Sequence, residues 1–334
     1  MDLFRTARLN IKAVCACAIT LLSLVLLAGT GLAQERLAAA TLEFTLEIGK
    51  PALVLGEPVY ATVRLVNEGV TPVDVFKLLD PQTGALQIEV SSSSRPRLVF
   101  LPLFYSDAIR ARTALAPGEA VAAAFPIFYG ALGWTFDRPG TYRVTAEFRP
   151  PGGAQIKRVR STAVSVTVAD ESGTGTLLMA GTSASEEAAK FLLWQRGDQL
   201  QAGQALLTDL LKTHPDSPLS DYALLAFGRN LSRSFRNYAT GRIRQADCEP
   251  ALNYFQKVRS DRLPAFLQIQ QRLDEARCHM RLSQPAQARE SMKRAEQVGA
   301  GRAEFTLLFQ QAGRLEPALR DIADVAAVPG KPAL

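Results

Sequence analysis

Apolar and polar residues alternate along the stretch that begins at Thr41. Leu42, Phe44, Leu46 and Ile48 fall on one side and Thr41, Glu43, Thr45 and Glu47 on the other, the period-2 pattern of a half-buried strand. Val59, Ala61, Val63 and Leu65 repeat it, followed by Leu86, Ile88 and Val90, by Tyr142, Val144, Ala146 and Phe148, and by a last run over 163–168. Turn-forming residues separate the runs: Gly49-Lys50-Pro51, Asn67-Glu68-Gly69, Asp80-Pro81, Pro117-Gly118 and Pro139-Gly140. Short strands at this spacing, with no helical period between them, predict an antiparallel β-sandwich over residues 38–169.

The alternation stops in 170–182. Asp170-Glu171-Ser172-Gly173-Thr174-Gly175-Thr176 is polar and carries glycine, which reads as a linker between domains. Beyond it the period becomes helical. Ser183 with Glu186 matches a capping box. Ala188, Ala189, Leu192 and Leu193 form one stripe; after a break near Arg196-Gly197-Asp198, Gly203, Leu206, Leu207, Leu210 and Leu211 form the next. His214-Pro215 ends that helix, because proline cannot continue the backbone ladder. Ser217 then stands as N-cap, with Pro218 at the first helical position, Asp221 in the first turn, and Tyr222, Ala223, Ala226 and Phe227 as a further buried stripe. The pattern predicts helical hairpins over 183–325 and a flexible tail over 326–334. The predicted fold class is therefore multidomain, all-β followed by all-α.

Both parts carry a family resemblance. Leu55-Gly56-Glu57-Pro58-Val59-Tyr60, followed by Val63-Arg64-Leu65-Val66-Asn67, resembles the first strands of bacterial immunoglobulin-like (Ig-like) modules. Leu115-Ala116-Pro117-Gly118-Glu119 and Arg138-Pro139-Gly140-Thr141-Tyr142 resemble the turns that open later strands in such modules. The likeness implies an Ig-like sandwich in an extracytoplasmic setting, with Tyr142 packed at a strand corner; it implies no activity. The helical part resembles tetratricopeptide (TPR) repeats, helix pairs with a period of about 34 residues. Gly203, Leu207 and Pro215 match the family's small, large and helix-ending positions, Ala251 and Phe255 match the small and large positions of a second unit, and Ala276, Ala288, Met292 and Ala295 match a third. The family's tryptophan, glycine and tyrosine positions are mostly missing, and an extra segment lies between Gly228 and Ala251. In TPR repeats the second helix of one unit runs antiparallel to the first helix of the next. The resemblance thus places Cys248, at the start of one helix, beside Cys278, late in the following one. A Cys248–Cys278 disulfide would close a loop of about 30 residues and stabilise by roughly 3 kcal/mol on the chain-entropy model; two buried free thiols are the alternative.

The N-terminus sets the compartment. Arg5, Arg8 and Lys12 precede an apolar run over 13–28, and small residues lead to a cleavage position after Ala33, the three-part form of a secretory signal peptide over 1–33. Retention as an anchor is the alternative, since the run nearly reaches spanning length. Cleavage would remove Cys15 and Cys17 and leave Cys248 and Cys278 as an even pair in an oxidising compartment. The expected location is periplasmic or secreted, with no membrane span left after cleavage. The formal charge of +6 is spread as +2 over 1–33, +1 over 34–170 and +3 over 171–334; no part is strongly basic, which argues against nucleic acid as partner.

Chemistry is sparse. His214 and His279 are the only histidines, and neither sits at metal-ligand spacing. Cys278 and His279 are neighbours on a helix, so their side chains diverge. No phosphate loop, dinucleotide fingerprint or nucleophile elbow occurs. No catalytic, cofactor or metal residue is assigned, and an enzyme is not expected. One charge run stands out: Arg229, Arg233, Arg236, Arg242 and Arg244 lie between Asp221 and Asp247 with no acidic residue among them, interleaved with Phe235 and Tyr238. They read either as a docking patch for an acidic protein or anionic surface, or as a solvated face and loop. The aromatics Phe100, Phe104, Tyr105, Phe125, Phe128, Tyr129 and Trp134 read either as a sugar- or peptide-binding face or as core with a long loop packed over it. The functional expectation is a non-catalytic scaffold or adaptor that binds a protein or peptide of the cell envelope through its helices. The alternative is carbohydrate or cell-wall-glycan binding by the β-domain.

Overall fold

The computed structural model describes residues 41–106, 111–151, 157–170, 173–237 and 240–302, with positions 305, 308, 309 and 319. The expected signal peptide (1–33), the tail (326–334), Tyr238 and most of 303–325 lie outside the described residues.

The N-terminal part is strand-rich. Its strands are β1 (Leu42–Ile48), β2 (Ala52–Val54), β3 (Tyr60–Asn67), β4 (Val73–Phe76), β5 (Leu86–Ser92), β6 (Leu98–Val99), β7 (Arg112–Leu115), β8 (Ala120–Pro126), β9 (Tyr129–Gly130), β10 (Gly133–Trp134), β11 (Gly140–Phe148), β12 (Val159–Arg160) and β13 (Val164–Ala169). One sheet has the order β1-β3-β8; another runs β2-β13-β11-β5-β6, with β12 paired to β11; β4 pairs β7 and β9 pairs β10. Alternation decides which residues face inward: Ala61, Val63 and Leu65 of β3 are buried and Arg64 between them is exposed. Phe44 of β1 meets Phe148 of β11 at 6.3 Å between ring centroids, so the inner faces of the two larger sheets share one core.

One local expectation shifts. The sheets are not wholly antiparallel, because β2 runs parallel to β13, with Leu53 opposite Val168. The turn at Gly49-Lys50-Pro51 carries the chain off β1 into the other sheet, where Leu55 N–H donates to Ala169 O at 2.7 Å. Tyr142 does stand at a corner: it is buried, its Oη donates to Arg138 O at 2.8 Å and accepts from Arg138 N–H at 3.1 Å.

The C-terminal part is helical: α1 (Thr174–Leu178), α2 (Ser183–Trp194), α3 (Gln201–Thr213), α4 (Pro218–Leu231), α5 (Cys248–Phe255), α6 (Ala265–Arg281) and α7 (Pro285–Gly299), with a hairpin of β14 (Phe235–Arg236) and β15 (Ile243–Arg244) between α4 and α5. The α3–α4 joint is as the sequence predicts, with His214 closing α3 and Ser217 capping α4 ahead of Pro218. The cap of α2 lies one residue earlier than expected. Thr182 is extended and its side chain accepts from Ser185 N–H, leaving Ser183 as the first helical residue.

The stretch read as a linker contains α1, whose Leu178 is buried. Gly175 sits so close to Leu55 that a methyl group there would lie 2.2 Å from the Leu55 carbonyl oxygen. A single buried cluster runs from the strands through Leu178, Ala188, Leu207, Tyr222 and Phe255 to Leu267 of α6. Polar contacts reinforce this seam. Tyr222 Oη donates to Glu57 Oε1 at 3.0 Å, Lys50 pairs with the same carboxylate, and Tyr60 packs on Phe266 at 5.8 Å. A second cluster lies between α6 and α7, around Leu273, Ala276, Met292 and Ala295.

Candidate functional site

The helical part gathers arginines into one cleft of about 370 Å³, lined by Arg196, Arg229, Arg233, Ser234, Gln270, Leu273, Asp274, Arg277, Arg281 and Leu308. Helical geometry explains the assembly. Gln270, Asp274, Arg277 and Arg281 recur at spacings of three and four along α6, so they share one face. Arg229 comes from the last turn of α4, Arg233 follows that helix, and Arg196 comes from the break between α2 and α3.

Asp274 is the centre of this arrangement. It accepts from Arg229 Nε at 2.8 Å, from one terminal nitrogen of Arg233 at 2.8 and 3.1 Å, and from Arg277 at 2.7 Å. Arg229 also donates to Gln195 and Gln270. Arg229 and Arg277 are only 6% and 4% exposed. Burial pushes the Asp274 carboxyl up, but Arg233, Arg229 and Arg277 outweigh it and hold the group well below the usual carboxylate range. Burial lowers Arg229, and the like charge of Arg233 lowers it further, to about 10. Arg196 is lowered in the same way, by burial and then by Arg233.

The five arginines of the sequence run therefore separate. Arg229 and Arg233 enter the cleft. Arg244 is tied down by Asp198 at 2.7 Å and by the Asn230 carbonyl at 2.8 Å. Arg236 and Arg242 are exposed on the β14–β15 hairpin, beside the exposed Ile243. Arg196, Arg277 and Arg281 join the cleft without having been singled out in the sequence, because they belong to other elements.

Cys248 and Cys278 are both buried and free. Each thiol shifts the ionisation of the other, so α5 and α6 bring the two cysteines close together. The Cys278 contact holds Cys248 below the ordinary thiol value against the effect of burial, with Arg281 assisting. The same contact, together with burial, pushes Cys278 up. Of the histidines, His214 bonds to Thr213 and His279 to Gln284.

Two further clefts are present. The larger, about 460 Å³, lies among α5, α6 and α7 and contains Arg272, Arg294, Glu275 and Glu290; Arg272 pairs with Glu275 and Arg294 with Glu290, so its charges are balanced internally. The other, about 260 Å³, lies where α2 meets the strands and is lined by Asp80, Gln82, Phe100, Leu103, Phe104, Tyr129 and Trp194 among others. Most of the aromatic run is core: Phe100, Phe125, Phe128 and Tyr129 are buried, while Phe104 and Trp194 are 50% and 37% exposed. Trp134 packs on Phe128 and Tyr129.

Among the described residues no helix is long and apolar enough to cross a membrane, and no cluster of three or more His, Cys, Asp or Glu side chains could hold a metal ion. No protein-family model and no curated protein significantly matches the chain. Solved structures similar to it include a CARDB domain from Pyrococcus furiosus, crystallised with di-metal ions, at 14% identity over 40% of this chain and 97% of that one, TM-score 0.24. The sporulation control protein Spo0M of Bacillus subtilis is similar at 14% identity over 44% of this chain and 55% of its own, TM-score 0.25. A β-glucosidase of Listeria innocua is similar at 17% identity over 39% of this chain and 16% of its own, TM-score 0.24.

Proposed function

We propose that this chain is an exported, non-catalytic scaffold or adaptor of the cell envelope. In this reading an Ig-like sandwich is fused to a short TPR-like array, and the helices hold an acidic protein or peptide. The observation that carries it is the arginine cleft, where side chains from α4, α6 and the α2–α3 break converge around Asp274, the one carboxylate among the described lining residues. A surface of one sign in a low-dielectric cleft attracts and orients an oppositely charged partner. The Tyr142 corner and the joint of the two larger sheets at Phe44 and Phe148 support the Ig-like reading. The close α2–α3 crossing at Gly203 supports the TPR-like one. The signal-like N-terminus supports export to the periplasm or beyond, and export favours closing the adjacent Cys248 and Cys278 into a disulfide.

The test is crosslinking in the native envelope, comparing the wild-type chain with an Arg196→Glu/Arg233→Glu variant of matched thermal stability. Loss of the captured acidic partner is expected, and an identical captured set would overturn the reading. A second reading, carbohydrate or cell-wall-glycan binding, is favoured by the half-exposed Phe104 and Trp194 in the cleft with Asp80 and Gln82. Purified cell wall would then retain the full chain and release a Phe104→Ala/Trp194→Ala variant; equal retention of both would refute it.

A further inference from the structure

The outer face of the larger sheet collects arginines, and the pleat decides which ones. On β11, Tyr142, Val144, Ala146 and Phe148 are buried, so Arg143, Thr145 and Glu147 point to the other side. On β5, Leu86, Ile88 and Val90 are buried, which leaves Gln87, Glu89 and Ser91 on that same side. Cross-strand register extends the face: Arg143 stands opposite Ser91, Glu147 opposite Arg160, and Glu89 opposite Val99. Arg97 and Arg160 pair with Glu89, and Arg149 and Arg158 pair with Glu147. Arg143 is exposed, and the four paired side chains keep exposures between 42% and 67%. Their guanidiniums therefore stay open to the surface.

Among the described residues, five arginines thus share this face with two glutamates. The undescribed stretches between β6 and β7 and between β11 and β12 add no net charge: 107–110 carries Asp107 and Arg110, and 152–156 carries no ionisable residue. Residues 34–170 as a whole are only +1, so the positive charge is concentrated here. An apolar tip adjoins the face. Phe100 N–H donates to Ile88 O at 2.9 Å, which sets Leu101 beside Gln87, and Gln87 accepts from Arg149. Ala131 N–H donates to Leu101 O at 2.8 Å, bringing Leu132 of the β9–β10 turn alongside. Leu132 and Tyr105 are 65% and 60% exposed, and Phe104 and Leu101 are open as well.

We infer that this face and tip dock the strand-rich part on an anionic lipid surface. Guanidinium forks take headgroup phosphates bidentately, and anionic lipids attract such a cluster of arginines. Phenylalanine, tyrosine and leucine side chains enter the boundary between headgroups and acyl chains. A soluble polyanion would engage the arginines and leave the tip in water, whereas an anionic bilayer takes up both. The inference is independent of the arginine cleft and gives the strands a role of their own: they hold the chain at the membrane while the helices bind a partner.

The test is vesicle co-sedimentation of the purified chain without residues 1–33, at fixed ionic strength. The vesicles are phosphatidylcholine alone or equimolar phosphatidylcholine and phosphatidylglycerol. Binding to the mixed vesicles should be at least about tenfold tighter than to phosphatidylcholine. Arg143→Ala/Arg158→Ala should weaken it by about twentyfold, and Leu132→Ser/Tyr105→Ser by about tenfold. All four positions are exposed, so the fold is kept. Arg64→Ala, on β3 of the other sheet, should change nothing. Equal binding to both vesicle types, or unchanged affinity in either double variant, would overturn the inference. Soluble polyphosphate binding as tightly as the mixed vesicles, undiminished in Leu132→Ser/Tyr105→Ser, would overturn it in favour of a dissolved polyanion.

Discussion

Gly203 offers a direct test of how the helices pack. On a helix judged alone, replacing glycine by alanine stabilises by about 1 kcal/mol, because alanine loses less backbone freedom. Here the sign should reverse. A methyl group at Gly203 would lie 2.3 Å from Ala188 N, 2.4 Å from Glu187 C and 2.7 Å from Glu187 Cβ. Two of these obstacles are backbone atoms of α2, which cannot rotate aside, so α2 and α3 must separate by roughly 1 Å to restore ordinary contact. A gap of that size forfeits about a quarter to a half of each affected dispersion contact, and it opens around the fully buried Ala188 and Leu207. Overpacking of this kind costs about 1–3 kcal/mol, and occasionally more. With the backbone as obstacle, a net loss of about 2 kcal/mol is expected after the gain in helix propensity. At an unfolding entropy of about 2.1 cal/mol/K per residue over about 300 residues, that lowers Tm by about 3 °C. Thermal unfolding followed by circular dichroism reads the shift directly. A Gly203→Ala variant as stable as wild type, or more so, would show that α2 and α3 do not cross this closely.

Two other outcomes follow from the same structure. Asp274→Ala strands Arg229 and Arg277, whose side chains are 7% and 5% exposed, and breaking a buried pair in this way costs about 3–5 kcal/mol; a denaturation midpoint within error of wild type would refute the assignment. Because the folded Asp274 pKa is depressed, its stabilisation is full above the unfolded value of about 3.9 and is lost as pH falls from there through the folded value. Wild-type stability should therefore drop in that acid window, and the drop should be smaller in Asp274→Ala. In exported protein, peptide mapping without reductant should recover Cys248 joined to Cys278, with the bridge contributing about 3 kcal/mol; recovery of both as free thiols would refute the disulfide.

The legibility of the sequence tracked how local each cause was. Strands β1, β3, β5, β11 and β13 were readable because one face of each is buried, which writes itself as alternation. Three-residue β2 is too short to show a period, and its parallel pairing with β13 depends on where the Gly49-Lys50-Pro51 turn sends the chain. Helix α1 was hidden because Thr-Gly-Thr-Leu-Leu has poor helix propensity; it is placed by the approach of Gly175 to Leu55, a tertiary cause. The cleft divides the same way. Arg229 and Arg233 were visible as part of a local charge run, whereas Arg277 and Arg281 sit four residues apart on α6, where arginines ordinarily read as a solvated face. Only packing α4 against α6 around Asp274 turns the two sets into one site.

The seam makes the same point about organisation. Leu55-Gly56-Glu57-Pro58-Val59-Tyr60 resembles the first strands of an Ig-like module, yet in the fold these residues also receive the helices. Leu55 meets Gly175, and a methyl at Gly56 would lie 3.2 Å from Gly175 Cα. Glu57 accepts from Tyr222 and from Val54 N–H, and pairs with Lys50. Tyr60 packs on Phe266 and accepts from Gln195 at 3.4 Å. Burial together with the Glu57 charge pushes Tyr222 well above its ordinary value, so its proton stays available to donate across the seam at neutral pH. A linker alone would leave the arginine cleft free to drift relative to the strands. These contacts instead tie it to them through Gln195, which bonds at once to Tyr60 and to Arg229. One side chain thus connects the strand-rich part to the frame of the cleft.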